Sequence, residues 1–161
     1  MAEWEHDLKG WLNSVLDDQM VKILLSESSL TRRQFEGLLI DILSEEIVQK
    51  RIIYTEKAKI LPKSVTRGAY NRILTQARRN VVKAFFTLYL LGYLGLLDLT
   101  QLNDYIHFGN EIKDYIDAYK KNERKGGEEI NEKVLKAIHK ELLDKTNMLA
   151  KPSSLKPLSK L

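Results

Sequence analysis

The sequence contains no cysteine among its 161 residues, and it is poor in glycine (8) and proline (3). The lack of cysteine excludes disulfide scaffolds, zinc sites with Cys ligands and cysteine nucleophiles. The scarcity of glycine and proline argues against β-sandwiches, collagen and low-complexity chains, and it favours helices. With 43% hydrophobic and 30% charged residues, the composition is that of a soluble globular protein.

The chain also lacks a long uncharged apolar run. The most apolar stretch, residues 81–97, is interrupted by Lys83, and the uncharged part that follows is shorter than the roughly 20 residues that cross a bilayer. We therefore expect this stretch to be packed core, with no membrane as a partner. The acidic N-terminus has no signal-peptide pattern, so we expect a cytoplasmic protein.

Motifs of enzymes and metal sites are absent too. The histidines His6, His107 and His139 do not have the close spacing of a metal-binding helix. The sequence has no glycine-rich phosphate loop, no G-x-S-x-G and no H-E-x-x-H. Adjacent acids such as Glu45 and Glu46 do not face each other on a helix, so they form no acid–base pair. We expect no catalytic residues, no cofactor and no metal, and therefore a protein that is not an enzyme.

Positive charge, by contrast, is concentrated in one segment. Residues 1–49 hold four Lys and Arg against ten Asp and Glu, whereas residues 50–83, which we call the basic block, hold ten against one. Residues 84–161 are nearly balanced, so the net charge of +4 originates in the basic block. Solvated helix faces normally mix both signs, and a cluster of one sign is typical of proteins that bind nucleic acids. The alternative is that the block pairs with the acids of residues 1–49.

Apolar residues at three- and four-residue steps predict helices along most of the chain. The first runs from about residue 3 to residue 25. Thr31 and Gln34 have the spacing of a capping box at the start of the second, which continues towards Lys50. Pro62 ends the segment that comes before the next helix.

A long helix is predicted from Ser64 or Thr66 onward. Its core line consists of Tyr70, Ile73, Leu74, Ala77, Val81, Phe85 and Leu88. From Val82 onward the helix is apolar all round, so we expect it to be buried on every side or covered by another subunit. Gly92 is the glycine expected to end it.

Two further helices are predicted to form a C-terminal hairpin or dimerisation arm. One starts at Thr100 and ends near Asn122, and the other runs from Glu128 to about Ala150. The last residues contain two prolines and no periodicity, so we expect disorder there. The result is a predicted all-α protein of about five or six helices. It comprises a DNA-binding-type domain (residues 1–98), the helical hairpin (99–150) and the disordered tail (151–161).

The segment Thr55–Leu74 resembles a helix-turn-helix unit. The resemblance is carried by Thr55, Ala58 and Ile60 in a supporting helix, by Ser64-Val65 in the turn, and by TRGAYNRIL, residues 66–74, as the recognition helix. A second resemblance, to the end of a winged-helix recognition helix, lies in Val81, Phe85, Leu88, Leu91, Gly92, Tyr93 and Leu94. That second helix presents few groups for phosphates or base edges, so we prefer the first register.

The resemblance to helix-turn-helix proteins implies that the polar side of the long helix binds DNA. The candidate nucleic-acid-binding residues are Lys63, Arg67, Asn71, Arg72, Thr75, Arg78, Arg79 and Lys83. Arg67 and Asn71 lie near the start of the helix, where base edges are approached, whereas Arg78, Arg79 and Lys83 are expected to meet phosphates.

The predicted function is non-enzymatic binding of nucleic acid, with DNA favoured over RNA. The resemblance implies a transcriptional or chromatin role, and the apolar helix predicts a homodimer. The alternative is a helical interaction subunit of a larger assembly, such as a ribonucleoprotein. Exposure of the basic block on one face distinguishes the two functions.

Overall fold

The computed structural model of the chain describes residues 3–48, 52–96, 103, 107, 109–114 and 128–150. Every regular element among these residues is an α-helix, which confirms the all-α prediction. The helices are α1 (Glu3–Asp17), α2 (Gln19–Glu27), α3 (Arg32–Val48), α4 (Tyr54–Ile60), α5 (Arg67–Tyr93) and α6 (Glu128–Ala150). The chain divides into two compact units, Met1–Phe85 and Phe86–Leu161, and the division falls within α5.

The N-terminal region forms two helices where the sequence predicts one. Asp18 leaves the helical conformation (φ −59°, ψ 126°), and its carboxylate accepts hydrogen bonds from the backbone N–H of Met20 at 2.9 Å and of Val21 at 3.1 Å. An aspartate that bonds the backbone ahead of it caps a new helix, so the first helix ends and α2 begins here. The inward apolar face continues across the break through Leu8, Leu12, Leu16 and Met20.

Side-chain hydrogen bonds hold the turn between α2 and α3. The Thr31 N–H donates to Gln34 Oε1 at 3.0 Å, and the Gln34 N–H donates to Thr31 Oγ1 at 3.3 Å, which is the predicted capping box. From α5, the Asn80 amide donates to the Ser29 carbonyl at 3.0 Å and to Gln34 Oε1 at 3.1 Å. Asn80 therefore ties α5 to the start of α3.

The core of the Met1–Phe85 unit lies between α1, α3, α4 and the first half of α5. Its buried residues are Leu8, Leu12, Leu16, Ile40, Ala58, Ile60, Leu61, Tyr70 and Leu74. Helices α3 and α5 approach closely at Gly37, where an added Cβ would lie 3.2 Å from Ile73 Cγ2. The Tyr70 hydroxyl also donates to the Gly37 carbonyl at 3.1 Å, so packing and hydrogen bonding join the two helices at the same place.

The predicted start of α5 is confirmed. Its second half is not buried on every side within the chain, so that alternative is wrong, while cover by another subunit stays a prediction. Thr66 Oγ1 accepts a hydrogen bond from the Ala69 N–H at 3.2 Å, as a capping residue does. The core line is buried at Tyr70, Leu74 and Ala77 and half-buried at Ile73. Beyond Ala77, Leu88 and Leu91 are half-buried, and the other large apolar side chains of the helix are exposed: Val81, Val82, Phe85, Phe86, Tyr89, Leu90 and Tyr93.

The glycine that terminates α5, in the C′ position after the last helical turn, is Gly95 rather than Gly92. Gly95 adopts the left-handed conformation (φ 66°), and its N–H donates to the Gly92 carbonyl at 3.0 Å. The Leu96 N–H donates to the Leu91 carbonyl at 2.9 Å. These two bonds are the Schellman motif, which requires positive φ at its glycine, and Gly92 remains helical.

In the Phe86–Leu161 unit, α6 has the predicted bounds, and residues 103, 107 and 109–114 are helical within the predicted Thr100–Asn122 helix. The other predictions for this region concern the boundary at 98/99, most of the first hairpin helix and the tail 151–161, and these lie outside the described residues. Among the described helices, none is long and apolar enough to span a bilayer.

Candidate nucleic-acid interface

The candidate residues lie on one exposed side of the Met1–Phe85 unit. Lys63 belongs to the connection between α4 and α5, and the other candidates lie on α5. All of them are exposed. At 100° and 1.5 Å per residue, those on α5 cover about 160° of the helix circumference and about 24 Å of its length. Because the buried side of α5 is occupied by Tyr70, Leu74 and Ala77, the candidates form the opposite, solvent-facing side, which we call the basic face.

Two cations of the basic block form ion pairs with Asp41 of α3. The Lys57 ammonium lies 2.9 Å from Asp41 Oδ1, and the Arg78 guanidinium pairs with Asp41 Oδ2. Lys57 is 1% exposed and is therefore part of the interior, whereas the Arg78 side chain is 57% exposed. Pairing with the N-terminal acids, the alternative that the sequence leaves open, thus occurs at these two positions.

The Lys57 ammonium makes its contacts in a partly apolar setting. It donates a second hydrogen bond to the Asp41 carbonyl at 3.3 Å, and it lies 5.9 Å from the centre of the Tyr54 ring. The Ser44 hydroxyl also donates to the Asp41 carbonyl, at 3.5 Å. Buried lysines are rare unless they are paired, and this one is paired through both the carboxylate and the main chain of the same residue.

Tyr70 lies beside this ion-pair cluster. Burial raises the pKa of the Tyr70 phenol well above its ordinary value; the Asp41 carboxylate and Tyr54 raise it further, while Arg78 lowers it. The Tyr54 and Tyr70 rings meet edge to face with centroids 5.7 Å apart. The phenol is therefore a neutral hydrogen-bond donor in the folded protein, fixed between α3, α4 and α5.

The helix-turn-helix prediction corresponds to α4, the connection 61–66 and α5. The Val65 N–H donates to the Ala58 carbonyl at 3.2 Å, which closes the connection onto α4. Ala58 and Ile60 point into the core, as the sequence predicts. The connection has six residues, longer than the three or four residues usual in such units, because Pro62 forces extended backbone at Leu61 (φ −48°, ψ 141°).

Sequence reasoning missed the role of Lys57 and Asp41. Both were counted only as charges, one in the basic block and one among the N-terminal acids. A signal for Lys57 exists, since it lies three residues after Tyr54 and four before Leu61, on the helix side that carries the inward apolar residues. No comparable signal marks Asp41, because its partners are 16 and 37 residues away.

The described residues contain no group of three or more His, Asp or Glu side chains that could hold a metal ion. The site consists of cations and short polar side chains on α5, beside the ion-pair cluster of Asp41, Lys57 and Arg78. No protein-family model, curated protein or solved structure matches this chain.

Proposed function

We propose that the chain is a non-enzymatic, cytoplasmic DNA-binding protein that presents the basic face of α5 to the nucleic acid. The observation that carries the proposal is the exposure, on one side of one helix, of arginines interleaved with short polar side chains: Arg67, Asn71, Arg72, Thr75 and Arg79. Arginine neutralises phosphates and binds guanine edges, and asparagine binds adenine edges, so this mixture suits a groove better than a run of lysines does.

The core supports the same assignment. Because Tyr70, Leu74 and Ala77 anchor the opposite side of α5, the basic face is held on a rigid helix. A helix presented in this way fits the major groove, which is the reason to prefer DNA over the deep, narrow major groove of RNA duplexes. A transcriptional or chromatin role follows from the helix-turn-helix resemblance, and a second copy of the chain would supply the other half-site.

A salt series tests the proposal. Binding to duplex DNA, duplex RNA and single strands is measured from low to moderate salt for the wild type, Arg79→Ala and Asn71→Ala. We expect Arg79→Ala to weaken binding to all sequences and to reduce the salt slope by about one. Asn71→Ala should change sequence preference, at a cost of about 1–3 kcal/mol for the preferred base.

Arg33→Ala is the matched control, because Arg33 is an exposed arginine on α3 outside the basic block. It should bind DNA like the wild type. If Arg79→Ala and Asn71→Ala also bind like the wild type, the basic face does not contact nucleic acid and the proposal is wrong. Tighter binding to duplex RNA than to DNA would overturn the choice of DNA.

The second candidate function is a helical interaction subunit of a larger assembly, such as a ribonucleoprotein. The observation in its favour is the set of exposed apolar side chains on α5, of which Phe86 is 64% and Tyr93 86% exposed. Clusters of this kind mark protein interfaces. In this case a partner protein would co-purify with the chain, and variants of the basic face would leave that association unchanged.

A further inference from the structure

A cleft of about 490 Å³ opens on the surface of the Met1–Phe85 unit. Its lining residues are Asp41, Ile52, Ile53, Tyr54, Thr55, Arg67 and Arg78. The volume falls in the range of roughly 300–1,000 Å³ that is usual for sites that take small organic ligands. The cleft lies next to the basic face and shares Arg67 and Arg78 with it.

The lining of the cleft carries more positive than negative charge. Asp41 is the acid of the lining, and alone it would cancel Arg78, with which it forms an ion pair. Lys57 binds the same carboxylate from the interior at 2.9 Å. The lining therefore holds one carboxylate and two guanidinium groups, and the excess positive charge lies on Arg67 and Arg78. A cleft with this excess attracts an anion.

The hydrogen-bond donors and the apolar side chains of the cleft indicate which class of anion it binds. Arg78 uses Nη2 for Asp41 and leaves its other N–H groups at an exposed surface, while Arg67 is exposed at the first position of α5. Guanidinium forks match phosphate oxygens, and the exposed Thr55 hydroxyl adds another donor. Ile53 and Tyr54 supply apolar surface beside these groups, which suits a sugar or a base better than it suits a bare ion.

We propose that this cleft binds one nucleotide unit, with its phosphate held by Arg67 and Arg78. Where the nucleotide belongs to a nucleic acid, the inference rests on the proposed DNA-binding function, and it assigns Arg67 to a phosphate rather than to a base edge. A free nucleotide presents the same chemistry to the cleft. The two sources are separated by the experiment.

The experiment uses inorganic phosphate, adenosine monophosphate and duplex DNA as probes for the full chain and its variants. Addition of adenosine monophosphate should change the backbone amide chemical shifts of Ile53, Tyr54 and Thr55, and addition of phosphate should change them less. Arg67→Gln and Arg78→Gln should each lower the affinity for adenosine monophosphate by about tenfold, since each removes charge-assisted hydrogen bonds. Arg33→Gln, on the surface of α3, should leave the affinity unchanged. Thermal unfolding shows whether each variant is folded.

Competition then identifies the source of the nucleotide. If adenosine monophosphate displaces DNA, and Arg67→Gln and Arg78→Gln reduce the salt slope for DNA, the cleft holds a backbone phosphate. If it binds without displacing DNA, the cleft holds a free nucleotide and the inference stands. If no probe shifts the cleft amides, and both variants bind DNA like Arg33→Gln, the inference is overturned, whereas loss of binding in Arg79→Ala would still support the DNA-binding function. Adenosine monophosphate binding without any DNA binding would overturn that function and leave the cleft assignment intact.

Discussion

At the scale of single residues, the Asp41 carboxylate of α3 joins two other helices, since Lys57 lies on α4 and Arg78 on α5. The two pairs differ in burial, and burial decides what each contributes. The Lys57 ammonium has lost its water and depends on the carboxylate, whereas the Arg78 guanidinium remains solvated on its exposed side. The free energy of unfolding should therefore respond very differently to the loss of each partner.

We predict that Asp41→Asn lowers the free energy of unfolding by about 3–5 kcal/mol, because it removes the carboxylate charge that lies 2.9 Å from the buried Lys57 ammonium. Arg78→Gln should cost about 0–1 kcal/mol, as an exposed pair does. Denaturant titration of both variants against the wild type measures the difference. Equal losses in the two variants would show that burial does not separate the pairs.

The raised pKa of Tyr70 predicts that the free energy of unfolding depends on pH in the alkaline range. Its folded pKa is raised, mainly by burial, so the stability that the neutral phenol contributes is complete below the unfolded pKa of about 10 and is lost as the pH rises above it. We expect wild-type stability to fall between pH 10 and higher values, and we expect Tyr70→Phe to remove part of that fall. The measurement is unfolding free energy against pH.

Tyr93→Phe is the control for Tyr70, because Tyr93 is 86% exposed. It should keep the wild-type pH dependence. At neutral pH, Tyr70→Phe should cost about 1 kcal/mol through its lost hydrogen bond to the Gly37 carbonyl. A Tyr70→Phe protein with an unchanged alkaline slope would contradict the assignment.

At the scale of elements, capping determines where the helices begin and end. Asp18 divides α1 from α2, Thr31 and Gln34 start α3, and Thr66 starts α5. Each of these caps acts within three residues of its own position, so the sequence contains the whole interaction. The choice between Gly92 and Gly95 at the end of α5 is different, because both glycines are compatible with a helix end.

We predict that Gly95→Ala destabilises the end of α5 by roughly 1–2 kcal/mol, since an L side chain is strained at φ 66°. Gly92→Ala should instead favour the helix by roughly 0.5–1 kcal/mol, because Gly92 is helical. Hydrogen exchange of the amides of Leu94 and Leu96 reports the change at the helix end. Faster exchange in Gly92→Ala than in Gly95→Ala would contradict the assignment of the cap.

At the scale of the whole molecule, α5 carries two kinds of exposed surface along one helix. Its first half presents the basic face, and its second half presents apolar side chains such as Phe86, Tyr89 and Leu90. The Phe86 and Tyr89 rings also meet edge to face, with centroids 5.9 Å apart. Contiguous apolar surface of this kind favours association.

We predict that the protein is a homodimer at tens of micromolar and that the double variant Phe86→Ser with Tyr89→Ser is a monomer. Light scattering measures the mass of each. Ile42→Ser is the control, because Ile42 is also an exposed apolar residue but lies on α3, and it should remain dimeric. A wild-type protein with the mass of a monomer would contradict the prediction.

From the sequence alone, the all-α class, the capping box of α3, the start of α5 and the bounds of α6 can be predicted. These features depend on apolar periodicity and on hydrogen bonds between residues three or four apart, so they need no knowledge of the rest of the chain. The same holds for the exposed side of α5, because the residues of its buried side are identified by helical spacing.

Only the tertiary structure decided which charges are available to a partner. Lys57 belongs to the basic block in the sequence, but packing of α4 against α3 places it in the interior beside Asp41. Likewise, the second half of α5 is as apolar as a core helix, yet side chains such as Val82, Phe86 and Tyr89 are exposed in the folded chain. Both outcomes depend on partners far away along the chain, and the energy of a buried charge or an apolar side chain is set by those neighbours rather than by its own residue type.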